Sequence, residues 1–134
     1  MTERHLISSG GPWEGRGGYS RAVAIGDDCW VSGTTDAGPD GRSRHPGDIG
    51  SQTKAAFEII AAALGEAGFE TGDIVRTRMF VTDISRSAEV LAVHGDVFRD
   101  IRPSSTMVQV SALIDPSLLI EVEVDAHRNR ERSG

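Results

Sequence analysis

Apolar residues recur along this chain with two different periods, and the change of period marks the elements. Two β-rich runs, Ala22-Val-Ala-Ile25 and Cys29-Trp-Val-Ser32, flank Gly26-Asp-Asp28, a composition that predicts a tight antiparallel hairpin. From Asp48 the spacing lengthens: Phe57, Ile60, Ala61 and Leu64 form one apolar stripe, as on a helix that Asp48 can cap and Gly68 can end. Alternation returns over 73–81, with Val75, Thr77, Met79 and Val81 expected on one face and Arg76, Arg78 and Phe80 on the other. A second helix is predicted from near Ser85, burying Val90, Val93, Val97, Phe98 and Ile101 and stopping before Arg102-Pro103. Two strands close the pattern, 106–111 and 119–126, joined by a turn around Asp115-Pro116; Ile120, Val122, Val124 and Ala126 face one way and Glu121, Glu123, Asp125 and His127 the other. The Gly-rich stretch 9–19 is expected to be an ordered loop after a short first strand, and 36–47 a surface loop.

About six strands and only two helices imply an α+β domain in which both helices cover one face of a single mixed sheet. The uncovered face is expected to carry Arg76, Arg78, Phe80, Met107, Gln109, Glu121 and Glu123. That mixture is too charged for a monomer core yet regular enough for specific pairing. A symmetric oligomer that sets arginines against carboxylates resolves the conflict.

Composition narrows the function classes. With 134 residues the chain fits one domain, expected over 1–128, followed by a polar tail over 129–134. The net charge of −6 and thirteen scattered arginines argue against nucleic acid or an anionic membrane as partner. A single cysteine, Cys29, allows no internal disulfide and suits a reducing cytoplasm. No Cys/His spacing resembles a zinc site, so neither metal nor cofactor is expected, and neither a signal peptide nor a membrane span is expected.

From about Tyr19 to Arg128 the chain resembles the Rid family of reactive-intermediate deaminases, also known as YjgF or L-PSP proteins. The resemblance is carried by Tyr19-Ser20, Trp30-Val-Ser-Gly-Thr34, Ala67-Gly68, Gly72-Asp73-Ile-Val75, Phe80-Val-Thr-Asp83, Arg102-Pro103, Met107-Val-Gln-Val110 and Ile120-Glu-Val-Glu123 in that order. It implies a chorismate-mutase-like fold, a homotrimer whose sheets form a central barrel, and small-molecule clefts between subunits. Members that act as imine deaminases hydrolyse 2-aminoacrylate-type compounds to 2-oxo acids and ammonia without a metal. An arginine grips the substrate carboxylate and a glutamate positions the water. Carried onto this chain, the glutamate is Glu121, but the arginine position holds Ser105 and a frequent cysteine is replaced by Met107. A serine hydroxyl can hydrogen-bond a ligand but cannot neutralise its charge.

The candidate site therefore comprises Glu121 as catalytic group and Tyr19, Ser32, Gly33, Ser105, Met107, Arg78 and Arg102 as ligand-binding groups. Arg78 or Arg102 would substitute for the missing arginine; the structural alternative makes Arg78 the ion partner of Glu121 or Glu123 and Arg102 a solvent-facing loop residue. His94 and Cys29 read as a packed imidazole and an inert thiol, and Trp13 and Trp30 as packing rings. The expected function is an interfacial hydrolase acting on a C=N or amide-like metabolite, weak toward 2-imino acids. Its rivals are a non-catalytic ligand-binding trimer and, less favoured by the charge, an L-PSP-type endoribonuclease.

Overall fold

The computed structural model describes residues 3–129; the expected tail, Asn129 apart, lies outside them. Among the described residues the strands are β1 (Arg4–Ile7), β2 (Ala22–Ile25), β3 (Asp28–Thr34), β4 (Ile74–Val81), β5 (Ser104–Gln109) and β6 (Ile120–His127). The helices are α1 (Glu14–Gly17), α2 (Ile49–Glu66) and α3 (Ser87–Phe98). One mixed sheet runs β1-β2-β3-β6-β4-β5, with β4 and β5 parallel and the other neighbours antiparallel. None of the described helices is long and apolar enough to cross a membrane.

The α2 helix begins at Asp48, whose carboxylate accepts the Ser51 backbone N–H at 3.0 Å. Gly68, at φ +87°, turns the chain out of it in the left-handed conformation that a side chain would resist. Its buried stripe is Ile49, Ala56, Phe57, Ile60, Ala63 and Leu64, whereas Ala61 is exposed. Against it pack Val31, Met79, Val81, Ile120, Val122 and Val124, the inward residues of β3, β4 and β6. The sheet's inner face and the two long helices thus enclose the core.

Three local expectations need correction. A register shift between Ile74 and Arg76 turns Ile74 inward and leaves Val75 49% exposed, so Val75 does not share the inner face with Thr77. Met107 lies opposite Met79 and packs against the core, and Gln109 lies opposite Val81. Ser104, Thr106 and Val108 therefore share the helix-free face with Arg76, Arg78 and Phe80, one residue out of phase with the expectation, because parity on β5 follows from its pairing with β4. The Gly-rich loop, expected to lack any element, contains the single turn α1, closed by Gly18 at φ +71°.

The helix-free face holds the expected charge pairs. Arg78 Nη1 is 3.4 Å from Glu123 Oε1 and 3.3 Å from Asp125 Oδ2, and Arg76 lies 3.9 Å from Asp125. Toward β1 the same face turns apolar, where Leu6, Val23 and Trp30 lie abreast and Leu6 and Trp30 are exposed.

Candidate functional site

Antiparallel pairing of β3 with β6 brings the end of one strand to the start of the other, and a break in register between Val31 and Thr34 frees Ser32 and Gly33 from the regular ladder. Glu121 reaches over this gap. Its carboxylate lies so close to Gly33 that a Cβ added there would fall 2.0 Å from Oε2 and 2.9 Å from Cδ. Glycine is required for the close approach, not for an unusual backbone angle. Ser32 stands behind, its N–H bonded to the Arg21 carbonyl at 2.9 Å and its hydroxyl donating to the Ser20 carbonyl at 2.6 Å.

Arg21 completes the wall with Glu14 behind it, and sequence reasoning missed both. Arg21 is 7% exposed; Nη1 donates to the Gly33 carbonyl at 2.6 Å and to Thr34 Oγ1 at 2.9 Å, while Nε faces Glu14 at 3.3 Å. Glu14 also accepts from the hydroxyls of Ser8 and Ser9 and from the Ser9 backbone N–H. Burial by itself would raise the Glu14 pKa, but the bonds from Ser9 and Ser8, with Arg21 beside them, hold it below the ordinary carboxylate value. This buried pair ties the Gly-rich loop to β3 and shapes the cavity. The sequence offered only an acid and a base seven residues apart, on either side of glycines that cannot themselves hold a loop in place.

The cavity so formed is about 200 Å³, and Tyr19, Arg21, Gly33, Glu121, Trp13 and Ile114 are among its lining residues. The Arg21 guanidinium sits 5.9 Å from the Tyr19 ring centroid. Burial raises the Glu121 pKa and Glu123 adds to the rise, while Arg21 opposes it. A carboxyl of raised pKa beside an open cavity is placed to exchange a proton with a bound molecule.

Of the expected site residues, Tyr19, Ser32, Gly33 and Glu121 come together here. Ser105, Met107, Arg78 and Arg102 do not join them within one chain. Arg78 is held by Glu123 and Asp125, and Met107 is a packing residue. Arg102 adopts φ +57°, with its N–H on the Phe98 carbonyl, as the left-handed residue that terminates the helical turn before Pro103. Ser105 lies on the edge strand, where Thr77 donates to its hydroxyl at 2.8 Å. Cys29 is fully buried and its thiol is pushed up to about 11 by desolvation, the setting of an unreactive core group. Among the described residues, no three His, Cys, Asp or Glu side chains are grouped to hold a metal.

A family model described as Endoribonuclease L-PSP matches residues 13–128. The chain belongs to the Rid family. An uncharacterized protein of Streptomyces coelicolor is 37% identical over 91% of this chain and 90% of its own. Rat 2-iminobutanoate/2-iminopropanoate deaminase is 28% identical over 92% of this chain and 89% of its own. Among solved structures, a YjgF/YER057c/UK114 family member from Mycobacterium tuberculosis superimposes with a TM-score of 0.85 at 49% identity, covering 93% of this chain and 99% of that one. Escherichia coli TdcF with bound serine gives 0.74 at 28% identity, covering 83% and 88%. This Rid chain has the sheet and paired helices of those structures, with Ser105 in place of the arginine expected at that position.

Proposed function

We propose that this Rid protein is a cytoplasmic homotrimeric hydrolase that cleaves C=N bonds in a small metabolite, with Glu121 holding and activating the attacking water. The observation that carries this reading is the Glu121 carboxyl lying against Gly33 in a cavity, partly desolvated and raised in pKa. In the reaction, water oxygen bonds to the C=N carbon as its proton passes to the carboxylate. The π electron pair moves to nitrogen, which takes up a proton, and collapse of the carbinolamine releases ammonia and leaves a carbonyl. Two relatives support this class, the rat protein named as an imine deaminase and the bacterial protein solved with serine.

The trimer is supported by the helix-free face, where charge pairs and exposed Leu6 and Trp30 form one continuous surface. Copies of the sheet covering one another would bury it.

With a hydroxyl where a guanidinium is expected, turnover of 2-iminopropionate should be about two to three decades slower than in an arginine-bearing relative. The assay follows ammonia release from imine generated in place by a dehydratase, with Glu121→Gln, Arg78→Ala and Arg102→Ala alongside. Undiminished rate in Glu121→Gln would refute the catalytic assignment, and a rate equal to the relative's would refute the weak-deaminase reading. The serine at position 105 also favours a second reading, a trimer that binds its metabolite without hydrolysing it. Ligand binding with no ammonia release would select that reading.

A further inference from the structure

The Arg21 side chain has donors that the fold does not use. A guanidinium carries five N–H donors, one on Nε and two on each terminal nitrogen. Arg21 directs Nε toward Glu14 at 3.3 Å and commits Nη1 twice, to the Gly33 carbonyl at 2.6 Å and to Thr34 Oγ1 at 2.9 Å. Among the described residues Nη2 makes no hydrogen bond. It is not one of the buried atoms left without a partner, so it opens on the cavity that Arg21 lines.

A cationic donor with this much burial and no acceptor of its own calls for one from a bound molecule. Arg21 is 7% exposed, and its three committed donors fix the plane of the guanidinium, so Nη2 cannot turn away to bulk solvent. Glu121 lines the same cavity and feels the guanidinium, which opposes the rise of its pKa, yet the two form no ion pair among the described residues. The cavity thus presents a fixed cation and a carboxyl to one ligand. Among the described residues no other arginine lines it: Arg78 is tied to Glu123 and Asp125, and Arg102 ends the helical turn before Pro103.

We infer that Nη2 of Arg21 is the carboxylate anchor of this cavity, binding a 2-imino acid or its 2-oxo product so that the C=N carbon faces the water held by Glu121. This rests on the hydrolase reading above for the imine and adds the group that grips the acid, in place of the guanidinium absent at position 105. The grip is limited. One nitrogen is available instead of a two-nitrogen fork, and Glu14 already shares the charge, so the anchor is weaker than a free arginine. A slow turnover is the consequence.

The test uses the intact protein and 2-oxobutanoate, with 2-oxobutanamide as its uncharged counterpart. Calorimetry should show the amide binding about tenfold or more weaker, the loss expected for a charge-assisted hydrogen bond. Nitrogen-15 NMR of the arginine side chains should show the Arg21 guanidinium signals moving at saturating 2-oxobutanoate and staying in place with the amide. Glu14→Gln removes the competing charge and keeps a side-chain oxygen for the Ser8 and Ser9 hydroxyls; it should tighten 2-oxobutanoate about threefold or more and leave the amide unchanged. Arg21 signals that do not respond to 2-oxobutanoate, or equal affinity for acid and amide, would overturn the anchor. Both of those measurements need only the wild-type chain, so a failure of Glu14→Gln to fold leaves them decisive. Absence of ammonia release from 2-iminobutanoate would instead refute the hydrolase reading, and the calorimetry and NMR would then decide the anchor alone.

Discussion

Glu123→Ala measures how much of the helix-free face is removed from water in solution. In a single chain, Arg78 and Glu123 both retain 35% side-chain exposure, and Arg78 keeps Asp125 at 3.3 Å after the substitution. A water-screened pair of this kind contributes about 0.2–1 kcal/mol. When copies of the sheet cover the face, the guanidinium loses its water and removal of a partner costs about 3–5 kcal/mol; retention of Asp125 places the expectation near the lower end, about 3 kcal/mol. For a domain of this size each kcal/mol moves Tm by about 3–6 °C. The trimer therefore predicts a fall of roughly 10 °C or more, against a few degrees for a free subunit. Calorimetry at several protein concentrations, paired with light scattering, separates the cases, because assembly makes Tm concentration-dependent. Trimer mass together with an unchanged Tm would refute the burial of this pair, and monomer mass would refute the assembly.

Gly33→Ala should displace the Glu121 carboxylate and abolish ammonia release while circular dichroism remains native; full activity would show that Glu121 acts from another position. Glu121 has a raised folded-state pKa, so its contribution is fully present below the unfolded value near 4.5 and is lost as pH rises through the folded value. Glu121→Gln should consequently gain stability relative to wild type at pH 7 and lose that advantage near pH 4, and a pH-independent difference in urea midpoints would contradict this. Asp36 accepts from Ser43 Oγ at 2.8 Å and from the backbone N–H groups of Arg44 and His45 at 3.1 Å each, so Asp36→Ala should cost about 1–3 kcal/mol by leaving the buried Ser43 hydroxyl and the loop N–H groups without this acceptor. A denaturation midpoint within error of wild type would exclude that role for Asp36.

Periodicity was a sound guide wherever one face of an element is buried. The Asp48 cap, the Gly68 stop and the alternation of β6 all follow from residues whose local preference and burial agree. It failed where pairing decides the outcome. Met107 and Val75 were assigned to the wrong faces because a parallel register and a bulge are set by the neighbouring strand, which no single segment encodes. Of the candidate cavity, Tyr19, Gly33 and Glu121 were legible through the family's pattern, with Ser32 standing behind them. Arg21 and Glu14 were not, since their pairing depends on a loop folding back across the sheet.

The contact between residues 33 and 121 also constrains how this chain can change over evolutionary time. A side chain at position 33 would overlap Oε2, so a glutamate at 121 has to swing its carboxylate out of the gap to admit one. A shorter residue at 121 frees that volume outright, so the two orders of substitution differ: if 33 grows first the carboxylate is pushed from its place, and if 121 shrinks first it is already gone. Either order ends with the carboxylate lost from the gap, and a glutamate restored at 121 regains that position only after the side chain at 33 is removed.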